Sequence, residues 1–160
     1  MRAVRSAALA AALPFAACAT PVANSDADTE VRAFLAHYVE TLEARDETAV
    51  RALFVDDGRF AWFTDGSRSY ASPHDVLDGL RRYQGMRFRT ELSAIHVMPL
   101  SPTLVAADSR FRTHLTIPGS EPVDYGGVIT WLLERTTGDQ WRVLRGHTST
   151  PGGPPAARDG

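Results

Sequence analysis

The sequence predicts an α+β fold in which one curved antiparallel sheet holds three N-terminal helices in its concave face. Three observations point there. Apolar residues near the start recur at the three-four spacing of helices, four long runs after Gly85 alternate with the period of strands, and "PLSP", "PGSEP" and "TTGD" divide those runs. Helices grouped before a meander of strands give segregated layers rather than the alternation of a parallel sheet. At 160 residues the chain is long enough for one good core and too short for two.

The first helix is expected to start with Asp28 as its cap and to bury Val31, Phe34, Leu35, Tyr38, Val39 and Leu42 on one stripe. Asp46 opens a shorter helix running through Leu53 and Phe54, and "DDG" ends it with Gly58 at the left-handed position. "RFAWFT" and "SRSYAS" flank an Asp-Gly pair, which supports the positive φ angles of a tight hairpin turn. "SPHD" starts a third helix: Ser72 is the cap, Pro73 the first helical residue, and Asp75 closes a capping box. Val76, Leu77, Leu80 and Tyr83 form its buried side, and Gly85 stops it. Strands follow at roughly 86–98, 103–117, 123–135 and 140–149. In the second of these, Val105, Ala107, Phe111, Thr113 and Leu115 are expected to face inward and Asp108, Arg110, Arg112 and His114 outward. A curved sheet closed by helices leaves a cavity.

The ends of the chain have their own character. Arg2 and Arg5, the short apolar run "AALAAALPFAA" and small residues before Cys18 read as a secretory signal peptide over 1–17, too short for a stable membrane span. "FAAC" resembles the lipobox of bacterial lipoproteins, which implies a lipidated Cys18 and a 10-residue linker at 18–27 holding the domain (28–149) off a membrane. With Ala19 rather than aspartate next, that resemblance implies export to the cell envelope, on the periplasmic side of an outer membrane where the host has one. Residues 150–160, "TPGGPPAARDG", are expected to be a disordered tail. Cys18 is the single cysteine, so no disulfide supports the core.

Charge argues against nucleic acid. The chain carries a net charge of −2, and loss of Arg2 and Arg5 with a leader takes it to −4. All its basic residues are arginines, and the densest run, "RRYQGMRFR", reads as a solvated sheet edge. No histidine pair has ligand spacing and no glycine-rich phosphate loop is present, so neither a metal nor a cofactor is expected.

The order helix, helix, hairpin, helix, four strands resembles the nuclear transport factor 2-like superfamily, a cone with an internal pocket. "HYVETLEARDETAVRALFVDDGRF" is similar to its opening helix pair, and "GGVITWLLERTTGDQWRVLRGHTS" resembles the closing hairpin of its SnoaL-like branch. The fold hosts isomerases, dehydratases, hydrolases, cyclases, binders and oligomerisation modules, so function has to be argued from the site. On the pattern of ketosteroid isomerase, the oxyanion tyrosine falls on Tyr38, but the general base falls on Trp62, which cannot take a proton, so that chemistry would need Asp65 or another carboxylate in the role. Asp108 and Arg110 of the fourth strand share the expected outer face, which disfavours an epoxide-hydrolase arrangement.

Two groups of residues are candidates for the site. If Trp141 and Val143 pack inward, strict alternation sends Arg145 and His147 into the cone and Ser149 to its rim. His147 would then serve as acid or base with Tyr38 or Arg145, although hydrogen bonding at a strand end explains His147 and Ser149 as well. The second group is aromatic: Tyr38, Phe60, Trp62, Tyr70, Tyr83, Phe88 and Trp131 come from elements expected to surround the cavity. Such a lining favours a small, flat, mostly apolar or aromatic ligand, while core packing accounts for many of the same side chains. Three functions remain open at this stage: an exported small-molecule binder, a cofactor-independent isomerase, dehydratase or cyclase, and a noncatalytic assembly module. A homodimer through the outer sheet face is the expected macromolecular contact.

Overall fold

A computed structural model describes residues 25–151. The expected signal peptide, Cys18 and most of the expected linker, and residues 152–160 of the expected tail, lie outside the described residues.

Within them the chain forms α1 (Ser25–Ala44), α2 (Glu47–Ala52), a hairpin of β1 (Ala61–Thr64) and β2 (Ser67–Tyr70), and α3 (Pro73–Arg82). Four long strands follow: β3 (Arg87–Ser101), β4 (Leu104–Thr116), β5 (Val123–Arg135) and β6 (Trp141–Ser149). They make one six-stranded sheet in the order β2-β1-β6-β5-β4-β3. All neighbours are antiparallel except β1 and β6, whose parallel pairing sets Trp62 beside Gly146 and Phe63 beside His147. This is the α+β architecture expected, with helices on the concave side of a curved sheet.

Local chemistry explains the short elements. Asp46 accepts from the Ala49 N–H at 2.9 Å and caps α2. In the hairpin, Asp65 and Gly66 both have positive φ (48° and 83°), as a tight two-residue turn requires. Ser72 and Asp75 complete the capping box of α3, each accepting from the other's backbone N–H.

Side chains of α1 take up backbone groups of β3, an edge strand of the sheet. Glu43 accepts from the Thr90 N–H at 2.6 Å, and Arg32 donates to the Ile95 carbonyl at 3.1 Å. These contacts cover an edge otherwise open to pairing with another chain. Ala94, with φ of 49°, sits where the β3–β4 register shifts and bends the strand over the helix. The core runs between the layers, where Val31, Leu35, Phe54, Trp131, Leu133 and Val143 are fully buried.

Three expectations are corrected. The first helix begins at Ser25, so the last three residues of the segment read as linker are helical and Ala27 is buried. Asp28 is not the cap but a first-turn residue, paired with Arg32 one turn on at 2.7 Å. Thr150, read as the start of a disordered tail, is buried, and its N–H is held by the Asp65 carboxylate at 2.7 Å.

Candidate functional site

The curvature of β3–β5, with α1 and α3 across it, encloses a cavity of about 510 Å³. Tyr38, Val39 and Leu42 reach it from α1, and Val76, Leu80 and Tyr83 from α3 and its end. The hairpin contributes Trp62, Thr64, Ser69 and Tyr70, and the sheet floor Phe88, Phe111, Tyr125 and Ile129. All four tyrosines of the sequence line this one space. Grooves of 470 and 540 Å³ elsewhere are more open, one among charged residues of α2 and one on the outer face of β4–β5.

Glycines seat two of the aromatic walls. The Trp62 ring lies over Gly146, where a Cβ would come within 2.1 Å of its Cε3 and Cζ3 atoms. Its indole N–H donates to the Thr148 hydroxyl at 3.2 Å, and its ring stacks on Tyr38 with 6.4 Å between centroids and 12° between planes. The Tyr70 hydroxyl approaches α3 at Gly79, where a Cβ would lie 2.6 Å from it. Trp131 stands edge-on to Tyr38 at 6.0 Å and is fully buried behind it.

The polar groups of the cavity are almost all neutral. The Thr90 and Thr113 hydroxyls are 2.9 Å apart, and Thr64, Thr148 and Thr150 add to this belt. Burial raises the pKa of Tyr38 strongly; the Trp131 indole N–H opposes this weakly without reaching hydrogen-bond geometry, and Tyr70 adds to the rise. Burial also raises Tyr70 and Tyr125. These phenols therefore stay protonated at neutral pH and act as hydrogen-bond donors. No carboxylate, imidazole or thiol is among the described residues lining the cavity, and Arg82 is its one charged lining residue.

Five of the aromatic candidates, Tyr38, Trp62, Tyr70, Tyr83 and Phe88, meet at this cavity. Phe60 and Trp131 are instead buried in the core, Phe60 packing edge-on against Phe54 at 5.0 Å. The orientation expected for Arg145, His147 and Ser149 is corrected: all three are exposed. The reason is a bulge in β6. Leu132 pairs with Arg145 while Leu133 pairs with Val143, so Leu144 is an extra residue and alternation changes phase there. Trp141 and Val143 face inward as expected, but beyond the bulge Gly146, Thr148 and Thr150 face inward in place of Arg145, His147 and Ser149. His147 pairs between exposed Phe63 and Thr130, on the face of the sheet away from Tyr38.

Sequence reasoning did not assign Phe111, Tyr125, Thr148 or Thr150 to the site. Phe111 is expected on the inward face without a role in the cavity, and Tyr125 lies in a strand whose faces are not assigned from sequence. Gly146 was the available signal for the other two, since a lone glycine inside a strand marks a bulge or a close approach.

Comparison with known proteins agrees with this architecture. No curated protein matches the sequence. Among solved structures, a nuclear transport factor 2-like superfamily protein from Salmonella enterica serovar Typhimurium superposes with a TM-score of 0.70 at 12% identity, covering 86% of this chain and 99% of that one. A ketosteroid isomerase-like protein from Erwinia carotovora gives 0.64 at 16% identity, with 79% and 97% covered. The beta subunit of benzoate 1,2-dioxygenase from Burkholderia mallei gives 0.65 at 10% identity, with 78% and 90% covered. At such identities the likeness is one of fold. The model of the SnoaL-like domain matches residues 31–152, from the first buried residues of α1 through β6 and the capped Thr150, and the chain therefore belongs to the SnoaL-like domain family.

Proposed function

We propose that this chain binds a small, flat, largely apolar molecule in the cavity between α1, α3 and the sheet. The observation that carries the reading is the composition of the lining: aromatic and aliphatic walls with hydroxyl and phenol donors, and no group that titrates near neutral pH. Such a site recognises shape and hydrogen-bond acceptors, while proton-transfer chemistry needs a base or acid poised near the operating pH. The isomerase, dehydratase or cyclase reading relied on His147 with Tyr38 or Arg145, and the exposure of His147 and Arg145 separates them from the cavity. The assembly-module reading is favoured by a filled, dry core, and the open, hydroxyl-lined space does not supply that support.

The test is mass spectrometry of the purified protein under nondenaturing conditions, followed by extraction and identification of any retained compound. Thr113→Trp projects an indole into the cavity, and Ser69→Trp does so from the exposed rim in case the first variant folds poorly. A compound retained by the parent and absent from a folded plugged variant supports the reading. Equal retention by parent and plugged variants contradicts it.

Two further parts of the reading rest on sequence and surface. Export with lipidation at Cys18 follows from the "FAAC" motif, and a globomycin-sensitive change in gel mobility is its test; a mature chain starting elsewhere than Cys18 overturns it. A homodimer would use the outer sheet face, where Phe63 and Val128 are 37% and 44% exposed among charged side chains. Sedimentation of Val128→Glu against the parent tests it: a shift from dimer to monomer is expected, and a monomeric parent contradicts it.

A further inference from the structure

Arg82, at the end of α3, is the one charged side chain that lines the cavity, and it is exposed at the mouth. Among the described residues it has neither an acid within ion-pair distance nor a hydrogen-bond partner. Its neighbour Arg81 is the opposite case, held by Glu47 and Asp78, each at 2.8 Å. Several acids on the elements framing the mouth are engaged elsewhere. Glu43 accepts from the Thr90 N–H and Asp65 from the Thr150 N–H. Asp75 is held in the capping box, and Asp78 pairs with Arg81 and His74. Arg82 also acts on the cavity wall beside it, since its charge favours the ionised form of the Tyr70 phenol against the effect of burial.

We infer that the ligand of this cavity carries an anionic group, a carboxylate, sulfonate or enolate, at one end of its flat apolar body, with Arg82 receiving that group at the mouth. The inference rests on the binding reading above and adds the ligand's charge and orientation. A guanidinium presents a planar fork of donors that suits such an oxyanion, and the carboxylate-free lining leaves nothing to repel it. Ser69 and the Tyr70 hydroxyl, both on the lining near the mouth, supply neutral donors for the same group. The apolar body then lies on Trp62, Phe88 and Phe111.

Two fluorescent probes that differ by one sulfonate test this directly: 8-anilinonaphthalene-1-sulfonate and its neutral parent, N-phenyl-1-naphthylamine. In Arg82→Gln of the full chain, affinity for the sulfonate is expected to fall about three- to fivefold, while affinity for the neutral probe stays within about twofold. Raising salt from about 0.1 to 1 M, where the screening length shrinks from about 10 to 3 Å, should weaken the sulfonate alone and only in the parent. Arg68→Gln, on the neighbouring strand outside the lining, should leave both probes unchanged. A loss shared equally by both probes in Arg82→Gln, or no loss for either, overturns the inference while leaving the cavity reading in place. Absence of binding by both probes, or binding of both that survives Thr113→Trp, overturns the cavity reading and this inference with it.

Discussion

Substituting Gly146 by alanine isolates the contact on which the inward face of β6 depends. Gly146 has no positive φ to preserve, so in an ordinary strand the change would be neutral or mildly stabilising. Here the added Cβ would sit 2.1 Å from two ring carbons of Trp62, and a ring held on both faces cannot swing aside as a flexible chain end would. Overpacking of this kind costs about 1–3 kcal/mol. Displacing the ring also weakens the 3.2 Å hydrogen bond to Thr148, about 1 kcal/mol. Its stacking with Tyr38 contributes a further 0.5–1.5 kcal/mol or about that. With partial relaxation, a net loss of about 2–3 kcal/mol is expected. Urea unfolding followed by far-ultraviolet circular dichroism measures it, and the same substitution in a Trp62→Leu background should cost less than about 1 kcal/mol. Equal and small effects in both backgrounds would refute the reasoning. They would mean that Gly146 does not lie under Trp62 and that β6 runs in the other phase, with His147 inside.

Other consequences follow from the same geometry. Because the pKa values of Tyr38, Tyr70 and Tyr125 are raised by folding, the stability they contribute is complete below the ordinary tyrosine pKa near 10 and is lost as pH rises above it. Absorbance near 295 nm should therefore show most phenols ionising late, together with the loss of circular dichroism; all four titrating near pH 10 in a folded protein would contradict this. Ser72→Ala removes the cap of α3 and is expected to cost about 1 kcal/mol in chemical denaturation, with faster hydrogen exchange along α3. His147→Ala, on an exposed side chain of the outer face, should change stability by less than about 0.5 kcal/mol and leave retention of any cavity ligand intact. A loss of ligand in that variant would restore His147 to the site.

Much of this was legible in sequence because the signals are local. The Asp-Gly turn, the Ser72–Asp75 capping box and the alternation of β4 each depend on residues a few positions apart, and each forms as the pattern predicts. Aromatic side chains from α1, the hairpin and α3 could likewise be gathered at one cavity from element order alone. What escaped depends on pairing between distant segments. The bulge at Leu144 lies in the strand that pairs with β5 on one side and the parallel β1 on the other, and Gly146 is the one mark of it that "WRVLRGHTS" carries. A single extra residue is enough to exchange the two faces of a strand. It took Arg145, His147 and Ser149 out of the site and brought in Thr148 and Thr150. Phe60 and Trp131 were misplaced for a different reason: an aromatic stripe does not tell which rings face a space and which fill the layer behind it.

The most direct test of the account is a methyl and ring NMR titration with N-phenyl-1-naphthylamine, which needs no knowledge of the natural ligand. Saturable shifts are expected at the methyls of Thr90, Thr113, Thr148 and Ile129 and at the Tyr125 ring, all on the cavity, with the His147 ring and the Val128 methyls unmoved. Shifts centred on His147 and Val128 with the cavity methyls unchanged would contradict it, placing recognition on the outer face of the sheet.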